Sequence, residues 1–328
     1  MHILIIGAAG MVGRKLTAAL AARGTLQGRS IERLTLVDVV APEPPAGDFP
    51  HELRAVDISQ PGIAETLAAT RPDVIFHLAA IVSGEAELDF DKGYRINLDG
   101  TRFLFEAIRG EVLRQPYCPR LVFTSSIAVF GAPFPDKIGD EFLLAPRTSY
   151  GTQKAMGELL LSDYSRRGIF DGVGIRLPTI CIRPGKPNKA ASGFFSSILR
   201  EPLVGREAVL PVDESARHWH ASPRAAVGFL LHAAELDTVL LGTRRNLNMP
   251  GLSATVGEQI EALRRAAGDR AVALIRREPD PKIIDIVENW PEDFDPARAK
   301  ALGFVAESSF DEIIRIHIED ELGGSIVS

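Results

Sequence analysis

Cysteine is scarce in this chain: two residues, Cys118 and Cys181, among 328. Each is flanked by apolar or strand-like residues, so two reduced, packed thiols are expected rather than a disulfide framework. No Cys/His cluster has metal-ligand spacing. The nearest thing, His218-Trp219-His220, lacks an evident third ligand, so no metal is expected. Positive charge is in deficit, with 37 Lys and Arg against 43 Asp and Glu, a net charge of −6 and a pI of about 5.7. That balance argues against a general nucleic-acid or anionic-membrane surface. No hydrophobic run approaches the length of a membrane span, and Met1 to Ile6 is too short for the apolar core of a secretory signal. The reading is a soluble cytoplasmic protein whose partner is a small molecule, not a nucleic acid or a membrane.

What is present is a large apolar fraction, 45%, enough for a substantial core. Short apolar runs alternate with longer amphipathic stretches through the first half. Strands are expected at Ile3–Ile6, Leu34–Val37, Leu53–Val56, Val74–His77, Arg120–Thr124 and Val173–Leu177. Helices are expected at Met11–Arg23, Asn97–Arg109 and Ser149–Arg166. Such alternation implies right-handed crossovers and a parallel sheet covered on both faces: an α/β fold with a Rossmann-type doubly wound sheet. Loops rich in Pro or Gly, such as Phe130–Asp136 and Arg183–Lys189, fall at the carboxyl edge of the strands, where open α/β sheets bind ligands. Beyond about residue 180 the regularity weakens. The division expected is 1–178 as a dinucleotide-binding domain and 179–328 as a smaller substrate lobe, with segments returning to the first.

Gly7, Gly10 and Gly13 follow the first strand and open a helix. Small residues there, with Met11 and Val12 between them, let backbone N–H groups approach a pyrophosphate at a helix N-terminus. The G-x-x-G-x-x-G spacing departs from the usual G-x-G-x-x-G. Asp38 ends the second strand, where a carboxylate accepts bonds from ribose hydroxyls and repels a 2′-phosphate. The following Val39-Val40-Ala41-Pro42 offers no arginine for such a phosphate, so NAD is favoured over NADP. Asp57 and Ile58 after the third strand are candidates for the adenine edge. Leu78, Ala79 and Ala80 after the fourth offer the small surface a dinucleotide needs.

Downstream lie Thr124-Ser125-Ser126 and then Tyr150-Gly151-Thr152-Gln153-Lys154. Residues four apart share one helix face, so Tyr150 and Lys154 project together. A free phenol is a poor base at neutral pH; an adjacent ammonium favours the phenolate. A tyrosine so placed can take a proton from an alcohol or return one to a carbonyl. Beside a dinucleotide-binding turn, the pair implies hydride chemistry at a carbinol carbon.

In combination these motifs resemble the extended short-chain dehydrogenases/reductases, the branch containing nucleotide-sugar epimerases and dehydratases. The likeness runs over most of the chain. It rests on the glycine turn, His77-Leu78-Ala79-Ala80, Asn97-Leu98-Asp99-Gly100-Thr101, Thr124 to Gly131 and Tyr150-x-x-x-Lys154. The resemblance implies Tyr150 as general acid/base and Lys154 as its modulator and a nicotinamide-ribose ligand. Ser126 would bond the reacting oxygen, and Ser125 would face the cofactor. Asn97 would steady its helix and a proton-relaying water through Lys154. Pro178 and Thr179 would cover the nicotinamide. Family members often form homodimers through the Asn97 and Tyr150 helices, for which Phe103, Leu104, Ile108 and Leu159 to Leu161 could serve, although core packing explains these apolar positions equally well.

The departures bear on substrate. Phe130 stands where sugar-nucleotide enzymes usually have tyrosine. Arg217 to Arg224 lacks the aspartates of their Arg-Asp-aromatic-aliphatic-His-Val-x-Asp segment, and the arginine they use for a diphosphate is not evident near Pro279-Asp280-Pro281-Lys282. A small anionic substrate fits better. Ala79 to Glu87 and Phe90 to Tyr94 are similar to the branch's dehydrogenases of four-carbon sugar acids, which implies oxidation of a sugar-acid hydroxyl. On that reading Arg217, whose planar fork matches a carboxylate, binds the acid group, and Ser83 and His220 are candidates for hydroxyl contacts. The alternative is a nucleotide-sugar epimerase or reductase on the same fold.

Overall fold

Strand β1 (His2–Ile6) is the axis of the molecule's main sheet. Its residues Ile3 to Ile6 are 0–1% exposed. A strand apolar on both faces must be covered on both, and that favours a parallel sheet between helix layers. The sheet has seven strands: β1, β2 (Arg33–Asp38), β3 (His51–Ala55), β4 (Val74–His77), β5 (Arg120–Ser126), β6 (Asp171–Leu177) and β7 (Asn246–Asn248). Their spatial order is β7-β6-β5-β4-β1-β2-β3. The pairs β3–β2, β2–β1, β1–β4 and β4–β5 run parallel. Strand order reverses between β1 and β4, the crevice where doubly wound sheets bind dinucleotides.

The structure is a computed structural model and describes residues 1–185 and 192–326. Residues 186–189 of the loop expected at Arg183–Lys189 lie outside the described residues. The chain divides into two compact units. The first holds 1–129, 146–176 and 227–247; the second holds 130–145, 177–226 and 248–328. The change at 176/177 falls beside the expected division at 178/179. Segment 227–247 returns to the first unit, whereas 130–145, read as part of the first, belongs to the second. Among the described residues no helix is long and apolar enough to cross a membrane.

In the first unit, helix α1 (Met11–Arg23) follows β1 directly. Close packing there is set by one glycine: a Cβ on Gly13 would lie 2.2 Å from the Gly7 carbonyl oxygen. Gly24 ends α1 in the left-handed region at φ 62°, with its N–H on the Leu20 carbonyl, a glycine C-cap. Between α1 and β2 lies a small hairpin, Thr25–Leu26 with Arg29–Ser30. Helices α2 (Gly100–Arg114) and α3 (Ser149–Arg166) pack on the sheet. Leu104, Ile108 and Leu161 are fully buried in this unit's core with Phe105, Phe123 and Phe170. Of the two readings of these positions, core packing holds for Leu104, Ile108 and Leu161; among the candidates named, Leu159 is exposed, at 65%.

The second unit has its own sheet, Thr179–Ile180, Arg217–Ala221 and Leu252–Thr255. Helices Gly193–Leu203, Val256–Val272 and Phe310–Glu321 enclose Phe195, Leu199, Ile260, Leu263, Ile313 and Ile314. A capping box opens Val256–Val272: Glu258 N–H donates to Thr255 Oγ1, and Glu258 accepts from the Thr255 N–H.

The two glycines of the turn should behave differently. Gly13→Ala forces a backbone clash and should cost about 1–3 kcal/mol. Gly10, at φ −67° with its nearest obstacle 3.4 Å from a Cβ, should accept alanine within about 1 kcal/mol. Urea unfolding of both variants measures this, and equal midpoints would contradict it.

Candidate active site

The glycine turn is built against the end of β4. Gly7 has φ +97°, and a Cβ there would lie 2.7 Å from the Ala79 nitrogen and 2.9 Å from the Leu78 carbonyl carbon. Only glycine allows this approach, so the turn and Leu78-Ala79-Ala80 form one surface. Gly10 caps α1 in extended conformation with no side-chain cap bond, and the first turn carries no acidic residue. The N–H groups of a helix start therefore remain open to an anion. Asp38, at the tip of β2, accepts from the Ala9 N–H at 2.9 Å and the Val39 N–H at 2.7 Å, one on each oxygen. Each oxygen keeps a further lone pair for a hydroxyl. Val39 and Val40 beside it are 62% and 60% exposed. This set fits the pyrophosphate and adenosine ribose of NAD, and when bound NAD supplies the hydride acceptor.

Helix α3 carries Tyr150 and Lys154. Thr148 caps it, accepting from the Gly151 N–H at 3.1 Å. Two glycines let it lie close to β5 and the turn that follows it. A Cβ on Gly151 would lie 2.1 Å from the Ala128 carbonyl oxygen, and one on Gly157 would lie 2.8 Å from the Phe123 ring. Close packing seats Lys154 beneath the helix, 2% exposed. Its Nζ donates to the Thr124 carbonyl at 2.8 Å, sits 4.9 Å from the Phe123 ring centroid and 5.8 Å from that of Tyr150. Burial lowers its pKa to about 8 against the opposing attraction of Glu158. Tyr150 is half-buried. Ser126, at the tip of β5, accepts from the Ala128 N–H at 3.1 Å, which leaves its hydroxyl proton to donate. Tyr150, Lys154 and Ser126 therefore lie on one end of the first unit, together with the glycine turn on the same carboxyl edge.

Other expected residues take different roles. Ser125, read as facing the cofactor, turns inward and donates to Glu158 at 2.6 Å; Glu158 is also held bidentate by Arg176 at 2.9 and 2.7 Å. Asn97 is 1% exposed in a π-helical turn, Tyr94–Asp99. It accepts from the Ile81 N–H at 2.9 Å and donates to Gln153 at 2.8 Å. That arrangement pins the segment after β4 to α3; no described bond joins Asn97 to Lys154. Asp57 is engaged by its own loop. Burial alone would raise its pKa, but hydrogen bonds from Ser59, Arg95 and Gln60 outweigh it and hold the carboxyl at about 2. Ile58 is 4% exposed and packs under Gly100, so only its backbone can serve a ligand. Ser83 opens the helix Ser83–Leu88 and is half-buried.

Pro178, Thr179, Arg217 and His220 belong to the second unit. Arg217 places Nη1 3.4 Å from the Ser253 carbonyl and 3.5 Å from Glu258. His220 corrects the expectation of a hydroxyl contact: it is 0% exposed, 3.2 Å from Gln259, and packed edge-on against Phe195 and Phe310. Burial holds its pKa well below the usual value. Alternation along Arg217–Ala221 puts His218 and His220 on one face, and that face is the unit's core. The residues missed from sequence are Phe123 beneath the lysine, and Gly151 and Gly157, whose small size inside a helix was the available signal.

The family described as NAD dependent epimerase/dehydratase matches residues 3–237. A D-erythronate dehydrogenase of Cupriavidus necator is 49% identical over 98% of this chain and 98% of its own length. Another from Haemophilus influenzae is 42% identical over 98% of this chain and 100% of its own. Among solved structures, one described as the nucleoside-diphosphate-sugar epimerase from Agrobacterium tumefaciens superposes with a TM-score of 0.97 at 71% identity, covering 99% of this chain and 95% of that one.

The buried lysine has a measurable signature. Its folded pKa of about 8 lies below the ordinary 10.5, so the unfolded chain binds more protons between those values. Stability should therefore rise as pH climbs from 8 to 10.5, by on the order of 3 kcal/mol if the whole difference is realised. Lys154→Met removes this titration: the variant should be the more stable protein at pH 7, with the advantage fading by pH 10.5. Denaturant unfolding across pH measures it, and a pH-independent difference would contradict it.

Proposed function

The chain belongs to the NAD dependent epimerase/dehydratase family, and from that premise we propose that it oxidises the C2 hydroxyl of D-erythronate to 2-oxo-erythronate, with NAD taking the hydride. The observation that carries the chemistry is the buried Lys154 ammonium beside Tyr150, with Ser126 at the adjoining strand tip. Lys154 favours the phenolate of Tyr150 electrostatically. Tyr150 accepts the hydroxyl proton as the C2–H bond gives up its hydride. Ser126, its own oxygen already serving the Ala128 N–H, donates to the reacting oxygen and orients it. Asp38 holds the adenosine ribose and disfavours a 2′-phosphate. Arg217 serves as the substrate carboxylate's partner, exchanging its long contacts to Ser253 and Glu258 for a charge-assisted pair, and Ser83 contributes a hydroxyl contact.

The substrate rests on the names of the two full-length relatives. The name of the Agrobacterium tumefaciens structure favours a second reading, a nucleotide-sugar epimerase. The chain's own residues support the first: the Arg217–Arg224 segment lacks the aspartates of sugar-nucleotide enzymes. Purified protein assayed at the nicotinamide absorbance with NAD and a panel of sugar acids separates the two. Turnover of four-carbon aldonates without sugar-nucleotide binding is expected; binding of a sugar nucleotide with no aldonate turnover would favour the second.

Two variants test the assignment. Tyr150→Phe should keep NAD affinity and lose turnover by about 10²–10⁴-fold; full activity would overturn the role of the phenol. Asp38→Asn combined with Val39→Arg should shift the NADP/NAD preference by about tenfold, the 1.4 kcal/mol of one charge-assisted contact. An unchanged ratio would remove Asp38 from the ribose.

A further inference from the structure

Gln153 sits directly before Lys154 on α3, and the proposed chemistry leaves it without a task. It is 0% exposed. Its orientation follows from chemistry alone. The Ile81 N–H can only donate, so the Asn97 atom it meets at 2.9 Å is the carbonyl oxygen. Asn97 therefore turns its NH₂ toward Gln153, 2.8 Å away. Only an acceptor suits that position, so Gln153 presents Oε1 to Asn97 and its own NH₂ points the other way. That nitrogen is buried and has no hydrogen-bond partner among the described residues.

The place it occupies explains a glycine. Gly93 ends the short helix Phe90–Gly93 at φ −56° and ψ −54°, right-handed values open to any residue. A Cβ there would lie 2.7 Å from Gln153 Nε2 and 3.3 Å from the Ala86 Cβ. Space for the glutamine amide, not backbone conformation, calls for glycine at 93. Departures from the stable choice thus meet at one point: a helical glycine, a buried NH₂ without a partner and the π-helical turn Tyr94–Asp99. Such costs gather where function needs a fixed geometry. The same stretch has a second tie to α3: Glu87 accepts from the Ser149 N–H, the first of that helix, at 3.0 Å. All of these residues belong to the first unit.

We propose that Gln153 is a positioning residue: it keys the stretch Ile81–Gly93 onto α3 and so fixes Ser83 in relation to Tyr150. The proposal rests on the function above, in which Tyr150 meets the reacting hydroxyl and Ser83 another on the same substrate. Gln153 Oε1 holds the stretch at Ile81 through Asn97, and its NH₂ fits against Gly93 at the other end. An apolar side chain of equal length would fill the space but offer Asn97 no acceptor. Leu78-Ala79-Ala80 lies outside this tie, set against Gly7 by its backbone. The key therefore acts on substrate recognition and not on the dinucleotide.

The test compares the full-length protein with Gln153→Met, which keeps the bulk and removes the acceptor. Amide hydrogen exchange without added ligand should quicken about tenfold across 81–93, the change that one lost hydrogen bond brings to a local opening, and stay the same in β1 and β4. KM for D-erythronate should rise by about three- to tenfold, with a smaller change in kcat and no change in the Kd for NAD. Unchanged exchange across 81–93, or a Kd for NAD that rises along with KM, would overturn the proposal. Gly93→Ala gives an independent check. It should quicken exchange across 81–93 in the unaltered background and have no such effect when combined with Gln153→Ala, because the amide it displaces is gone. Equal effects in the two backgrounds would overturn the fit of Gln153 against Gly93. Should the unaltered protein fail to oxidise D-erythronate, the functional reading falls, and the exchange measurements still decide whether Gln153 holds the stretch.

Discussion

An ammonium buried beneath a helix is the constraint on which the site depends. Water hydrates a lysine far better than a protein interior does, and the fold gives Lys154 one carbonyl, one aromatic face and a distant carboxylate in exchange. The arrangement is an expensive one for stability. A cation in a low-dielectric setting acts strongly on its neighbours, and the Tyr150 ring centroid lies 5.8 Å from it. Glu158, four residues further along the same face, offsets the cost of that burial only in part. Its bidentate bond to Arg176 and its bond to Ser125 hold it as a closed ion pair at a fixed remove.

Glycines set the distances. Gly151 and Gly157 bring α3 onto β5, Gly13 brings α1 onto the turn, and Gly7 brings the turn onto the end of β4. Each removes a methyl-sized obstacle, against backbone at Gly7, Gly13 and Gly151 and against the Phe123 ring at Gly157, and together they draw the glycine turn and the helix of Tyr150 and Lys154 to the same carboxyl edge of the sheet. Asn97 completes the frame from the other side by tying Ile81 to Gln153, the residue before Lys154. A π-helical turn at that point lets its amide reach both.

Much of this was legible in the sequence because it obeys local rules. Met11–Arg23 and Ser149–Arg166 match their expected bounds, since capping, periodicity and glycine punctuation mark helix ends where they occur. The order of glycine turn, acidic strand end, serine strand end and Tyr-x-x-x-Lys predicted the fold. What was not legible depends on partners distant in sequence. His220 reads as a ligand beside Arg217, yet its strand face points into a core built by Phe195 and Phe310. Ser125 reads as facing the cofactor beside Ser126, but the pleat of β5 sends Ser125 to Glu158 and leaves Ser126 at the tip. The amphipathic pattern of α2 and α3 likewise cannot say whether Leu104 and Leu161 meet their own sheet or another subunit; they meet the sheet.

The division of labour that emerges is economical in residue types. In the proposed function, backbone N–H groups and one carboxylate serve the dinucleotide, one phenol handles the proton, and one lysine makes the phenol competent. The most direct measurement is a crystal structure of the NAD complex, read at the separation between the Tyr150 hydroxyl and the nicotinamide C4 carbon. The account predicts the hydroxyl facing C4 with space between them for a single carbinol group, and Lys154 on the ribose. A hydroxyl turned to solvent, or a nicotinamide ring bound away from α3, would contradict it.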